Sequence, residues 1–418
     1  MDSIRVLGGT PLQGRVRIQG SKNAALPILA ACLVTGGAVS LRNIPKISDV
    51  YGMLQILSGL GCKIQWKQDC LVIDPADASS FEANGEDASS MRSSLFLLGP
   101  LLARHGRASL GNPGGCVIGS RPIDIHLEAL KAMGVQFECS EGGLKAKAKD
   151  LLSPADVSLR FPSVGATENV LMAAMGAKGD TRIHGAAREP EVVALCEFLN
   201  SAGGDVRGTG GSELLVRGGR RLHGTEFAIP ADRIVAGTYL MAGFMTGGSI
   251  LLEEAPETHM GAVLMTAKGM GARITSYEQG IYAQYPERAR SPISIKTQVY
   301  PGFPTDLQSV ALAACCKARG NAKITETIFE NRFRIREELV KMGARICQEN
   351  EKTVRVSGVK RLWGSQVEAK ELRGGAALVV AALGAEGESR ISGRHFIERG
   401  YENICRDLRE LGARIVSE

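Results

Sequence analysis

The feature that most limits what this chain can become is a short unit that recurs six times. A helical pattern runs into a glycine and then an apolar strand entry: LQILSGLGCKI, LEALKAMGVQF, CEFLNSAGGDV, LMTAKGMGARI, REELVKMGARI and CRDLRELGARI. The glycines are Gly61, Gly134, Gly203, Gly271, Gly343 and Gly412, spaced by 73, 69, 68, 72 and 69 residues. Each stands where a helix C-terminus calls for a left-handed residue.

A second helix lies upstream of the first in every period: SKNAALPILAACLV, SMRSSLFLLGPLLA, ATENVLMAAMGA, ADRIVAGTYLMAGF, TDLQSVALAACC and ELRGGAALVVAAL. These are rich in small residues and apolar nearly all round, so they should be buried on most faces. A glycine and a strand follow each one, as in AVSLRNI, DTRIHGA or NAKITET. The unit therefore reads as strand, helix, strand, helix, strand, strand. Such periods are long for a solenoid, and no repeat resembles a polar cap. At 418 residues the chain also exceeds what one ordinary core serves. Two compact α/β domains of three units each are expected.

Charge and cysteine usage narrow the function. The net charge of +6 is modest and comes without clustered basic runs, which suits a small anionic ligand better than nucleic acid. The ten cysteines form no CxxC pair and no Cys/His metal spacing, so no metal site and a reducing compartment are expected. The start, MDSIRVLGG, lacks a basic region followed by an apolar one, and the run AALPILAACLV is too short for a membrane span. A soluble, cytoplasmic, monomeric protein is the expectation.

The buried helices carry their polar residues in the first turns: Lys22 and Asn23, Arg92, Glu168 and Asn169, Asp232, Asp306, and Arg373. An acid there is routine, because it complements the helix dipole. Lys22, Arg92 and Arg373 work against the dipole, which makes sense if an anion binds before them; the plain alternative is a cation snorkelling at the helix edge. Loops add Arg121 before Pro122, Arg332 before a helix, and Arg399 beside Gly400 at a helix start. Such a cluster exceeds the need of one phosphate. It suits a ligand carrying phosphate and carboxylate together, such as phosphoenolpyruvate. Cys116 sits among Gly111, Gly114, Gly115 and Gly119, either as a small filler in a turn or as chemistry on a mobile loop.

The stretches GSKNAALP, SSLFLLGPLLAR, GGCVIGSRPIDIHL, FPSVGATEN, AREPE, ADRIVAGTYL, YPGFPTDLQ, IFENRF, ELRG and ERGYENI resemble, in order and over nearly the whole chain, the UDP-N-acetylglucosamine 1-carboxyvinyltransferase family. The resemblance implies an inside-out α/β barrel of two similar domains, each of three βαβαββ repeats, with the active site in the cleft between them. The domains would span 22–229, and 1–21 together with 230–418. The implied reaction moves the enolpyruvyl group of phosphoenolpyruvate to the 3-hydroxyl of UDP-N-acetylglucosamine. This opens peptidoglycan synthesis, and no cofactor is called for.

Carried over residue by residue, the resemblance gives Lys22, Arg121 and Arg399 the phosphate of phosphoenolpyruvate, and Arg332 and Arg373 its carboxylate. Asn23 and Asp306 would meet the amino sugar, with Asp306 beside the attacking hydroxyl. Arg92, Arg121, Pro122, Ile123, Asp124, Ile125, Ser163, Val164, Gly165 and Ile328 would line the nucleotide-sugar site. Cys116 would donate the proton to the methylene carbon, or form a covalent adduct with the ligand, and would be the thiol that fosfomycin alkylates. Which of its two roles dominates stays open.

Three residues depart from the family pattern: Phe396 for the usual His, and Glu398 and Glu371 for the usual Asp. They put the positioning of Arg373 and Arg399 in question. Two other readings compete: a 3-phosphoshikimate 1-carboxyvinyltransferase, and a non-catalytic paralogue that binds the nucleotide sugar. The Cys116 loop and SVGATEN speak against the former, and the presence of Cys116, Asp306 and Lys22 against the latter.

Overall fold

A computed structural model describes residues 2–83, 92–111, 123–140 and 143–418. The expected Cys116, Arg121 and Pro122 lie outside the described residues. By its contacts the chain divides into two compact units, one holding the chain start to Gln19 and Ala231–Glu418, the other the described residues between Gly20 and Pro230.

All six helix-ending glycines have positive φ, from 86° at Gly134 to 104° at Gly271. There the chain must turn from helix to strand within one residue, and a Cβ would be strained. Six four-stranded sheets follow among the described residues, all with one order. In one of them Asp156–Ser158 runs parallel to Asp180–His184, which is antiparallel to Glu213–Arg217, which pairs in turn with Val206–Arg207.

The repeats close by borrowing strands from distant parts of the chain. Glu226–Ala228 completes the sheet of Val39–Arg42, and Leu12–Arg17 that of Gly248–Glu253. Ser3–Leu7 lies between Glu388–Ser392 and Arg414–Ser417. That is why the first strands belong with the C-terminal half.

Within each unit the apolar helices form the centre. In the unit with the termini, Arg233–Thr246, Gln308–Lys317 and Leu372–Leu383 pack on one another and are almost wholly buried. In the other, Lys22–Ala31, the helical segment Arg92–His105 and Val164–Ala174 take that place. Helices inside and sheets outside give each unit an inside-out barrel, built because an all-apolar helix has no face to offer water. Six of the described cysteines, Cys32, Cys62, Cys196, Cys315, Cys316 and Cys405, are buried and unpaired, as small hydrophobes would be. Among the described residues no helix is long and apolar enough to cross a membrane, and no three metal-binding side chains gather.

Candidate active site

In the unit with the termini, the charges converge on Asp306. This residue lies in the 3-10 turn Thr305–Leu307 that leads into the helix Gln308–Lys317. Arg332 Nη2 donates to its Oδ1 at 2.9 Å, and Arg373 Nη2 to its Oδ2 at 2.8 Å. Both arginines are buried, at 4% and 5% exposed, so their charges can be kept only by partners. Burial works against the charge on Arg373; Asp306 outweighs it, with Tyr401 and Asp232 adding, and the group stays above its ordinary value.

Glu371 caps the helix Leu372–Leu383, accepting from the backbone N–H of Arg373 at 2.8 Å and from that of Gly374. Its Oε2 also lies 3.8 Å from Arg332 Nη1. Glu371, one of the three departures from the family pattern, thus still caps and still faces an arginine. Glu398 pairs with Arg394 at 2.9 Å, and the Phe396 ring packs on His395.

Arg399 differs from expectation in its setting. It stands on a turn after the short helix Arg394–Ile397; the next helix begins only at Ile404, capped by Asn403. Gln19 fixes that turn from both sides, donating to the Gly400 carbonyl at 3.2 Å and accepting from the Glu402 N–H at 2.8 Å. Ile328 follows the strand Asn321–Thr325, and its N–H donates to Glu326 Oε1 at 2.7 Å.

In the other unit, Ser21 caps the helix that Lys22 opens. Lys22 Nζ lies 2.6 Å from Asp49 Oδ2, both side chains being buried. Asp49 occupies the first turn of the helix Ser48–Gly59, where an acid is favoured, so one helix supplies the counter-charge another needs. Asn23 is half-buried beside it. Arg92 opens the 3-10 segment Arg92–Leu97, half-buried, and burial lowers its pKa.

Ile123, Asp124 and Ile125 begin the helix Asp124–Ala132, and Asp124 pairs with Arg160. Ser163 caps the helix Val164–Ala174 through its Oγ. Behind these entries lies His126, buried, with Nδ1 3.1 Å from Asn169 Nδ2. The orientation of Asn169 is set by backbone on two sides, since its Oδ1 accepts from Gly99 N–H at 2.7 Å and its Nδ2 donates to the Leu95 carbonyl at 3.0 Å. His126 Nδ1 must therefore accept, which makes the ring neutral. Burial, with Arg92 adding and Asp124 opposing, lowers its pKa to about 4. Gly165 is fixed by this packing, for a Cβ there would lie 3.1 Å from His126 Cε1.

The structure thus joins Asp306 to Arg332 and Arg373, and Lys22 to an acid. Asp49, His126, Gln19 and Glu326 carried no expectation from sequence. Their only sequence signal was a polar residue beside an apolar run, which many surface positions share.

Comparison with known proteins gives the family. Residues 6–408 match the family described as EPSP synthase (3-phosphoshikimate 1-carboxyvinyltransferase). Two solved structures share the fold: the enolpyruvyl transferase NikO from Streptomyces tendae, TM-score 0.87 at 22% identity over 99% of this chain and 98% of that one, and EPSP synthase from Acinetobacter baumannii, TM-score 0.76 at 19% identity over 100% of both. Fold and matched span define the class as the carboxyvinyl (enolpyruvyl) transferases. Within that class the nearer likeness is to proteins named UDP-N-acetylglucosamine 1-carboxyvinyltransferase. That of Oleidesulfovibrio alaskensis is 43% identical over 99% of both chains, and that of Nitratidesulfovibrio vulgaris 43% over 100% of both. One from Staphylococcus aureus, named UDP-N-acetylglucosamine 1-carboxyvinyltransferase 1, is 41% identical over 99% of both. The chain belongs to the UDP-N-acetylglucosamine 1-carboxyvinyltransferase family.

Proposed function

We propose that this protein transfers the enolpyruvyl group of phosphoenolpyruvate to the 3-hydroxyl of UDP-N-acetylglucosamine, releasing phosphate, as the first committed step of peptidoglycan synthesis. The observation that carries the reading is full-length identity of 41–43% to relatives of that name, against 19% to an EPSP synthase. Both substrates are small soluble molecules, which fits a cytoplasmic enzyme acting as a monomer.

The residues fit the chemistry. Asp306 takes the proton of the attacking 3-hydroxyl as its oxygen bonds to C2 of phosphoenolpyruvate, and Cys116 protonates C3. The resulting tetrahedral adduct loses a proton from C3 and the phosphate from C2, which restores the double bond. Arg332 and Arg373, each hydrogen-bonded to Asp306, offer a fork to the ligand carboxylate; a substrate carboxylate that takes over the fork frees Asp306 to act as base. Lys22, Arg121 and Arg399 stabilise the leaving phosphate. Asn23 meets the amino sugar. Arg92, Arg121, Pro122, Ile123, Asp124, Ile125, Ser163, Val164, Gly165 and Ile328 receive the nucleotide sugar, with the helix entry at Ser163 suited to a diphosphate.

The test is phosphate release from phosphoenolpyruvate with each acceptor separately. Release with UDP-N-acetylglucosamine and none with shikimate 3-phosphate is expected; the reverse pattern overturns the reading.

A further inference from the structure

We propose that Glu326 is a positioning residue of the transfer site, holding Asp306 and the Ile328 segment in a fixed relation. The inference rests on the reading of Asp306, Ile328 and Arg332 as substrate-facing.

Glu326 is 0% exposed, and its carboxylate accepts from four donors, among them the N–H of the site residue Ile328 and the hydroxyl of Thr305, the neighbour of Asp306. Its Oε1 accepts from Thr297 Oγ1 at 2.8 Å, Ile328 N–H at 2.7 Å and Phe329 N–H at 3.1 Å. Its Oε2 accepts from Thr305 Oγ1 at 2.9 Å. Thr305 is the neighbour of Asp306, and Phe329 leads to Arg332, whose guanidinium lies 5.1 Å from the Phe329 ring centre. One carboxylate therefore ties together the two segments that bring Asp306 and Arg332 to each other.

The fold does not require this acid. The strand pair Ser294–Lys296 and Asn321–Thr325 ends with Thr297 N–H donating to the Thr325 carbonyl, as the pair Asp156–Ser158 and Asp180–His184 ends with Leu159 N–H donating to His184. By that register Gly185 stands where Glu326 does, and Leu159 where Thr297 does. The corresponding strand ends at Asn43, Gly185, Glu254 and Gly393 all turn through positive φ, whereas Glu326 takes no such turn. A buried carboxylate is costly to desolvate, and four repeats close this corner with a left-handed turn instead. It occurs in the repeat that carries Asp306.

Thr305→Val isolates the link, because it removes the hydroxyl that donates to Oε2 and leaves the three donors at Oε1 in place. Glu326→Gln only reverses it: the amide oxygen can keep those three donors, while the amide nitrogen can donate to Thr305 Oγ1. With wild type and the variants assayed with phosphoenolpyruvate and UDP-N-acetylglucosamine, Thr305→Val is expected to lose about tenfold or more in kcat, with KM for the nucleotide sugar within about twofold. Glu326→Gln should lose less than Thr305→Val. Glu326→Ala, which also releases Ile328, should lower kcat at least as far as Thr305→Val and raise that KM as well. An unchanged kcat in Thr305→Val or in Glu326→Ala, or a loss confined to thermal stability, overturns the positioning role. A wild type without activity overturns the functional reading instead.

Discussion

Two helix entries, Phe161-Pro162-Ser163 in one unit and Phe303-Pro304-Thr305 in the other, start from nearly the same letters and end in opposite electrostatics. At the first, Ser163 Oγ accepts from Ala166 N–H at 3.4 Å, and the Thr167 hydroxyl donates to the Ser163 carbonyl at 2.8 Å. The helix satisfies itself. Its acid, Glu168, lies one turn deeper, 0% exposed, with no hydrogen-bond partner on either oxygen among the described residues. Burial pushes its pKa well up, and Glu191 and Glu189 push it further. At the second entry Thr305 turns to Glu326, a 3-10 turn follows, and Asp306 meets two buried arginines. The repeat fixes the backbone, but the cations decide whether an acid is an ionised group or a neutral filler.

The largest effect expected from this contrast is on catalysis. Asp306→Asn keeps the shape and removes the base, and kcat should fall by about 10²–10⁴. The amide competes less well for the Arg332 and Arg373 fork, so KM for phosphoenolpyruvate should hold or drop. Steady-state kinetics in both substrates checks this. A rise in that KM with kcat intact would make Asp306 a binding residue only.

Sequence made the repeat, the left-handed glycines and the buried helices readable, because each follows from local periodicity and from the one residue type that tolerates positive φ. The clustering of Arg332 and Arg373 was readable as cations in conspicuous places. The partners were not. Asp49 is an ordinary first-turn acid until Lys22 is seen against it, and Glu326 is one acid in a strand-like ITET until four donors converge on it. Such pairings depend on how the helices and loops of one repeat fold back on one another, and the periodic pattern alone does not contain that information. The helix start expected at Arg399 failed for a local reason: Asn403, not the arginine, supplies the cap.

Stability against pH sharpens the contrast from the side of the Ser163 entry. His126 is neutral when folded, its pKa lowered to about 4 from 6.5, so the unfolded chain takes up the proton first. Its contribution is full above pH 6.5 and is lost as pH falls from there toward 4, by about 3 kcal/mol. His126→Gln, which can still accept from Asn169, should remove that part of the slope. Thermal melts of both proteins between pH 7 and 4.5 test it: a difference that stays constant with pH would mean that His126 is not the neutral lock behind Gly165.

The smallest effect concerns Glu168, and its sign is opposite. A carboxyl with a raised folded pKa contributes fully below its unfolded value of 4.5, and that contribution is lost as pH rises, because the unfolded chain releases the proton first. Glu168→Gln cannot ionise in either state. It should match wild type near pH 4 and gain on it as pH rises toward 8, with kcat unchanged. Melts at the two pH values and one activity assay decide the matter. A variant that is less stable at pH 8 would show that Glu168 keeps its charge when folded. The contrast with Asp306 would then lie in which partner each acid has, and no longer in whether it is ionised.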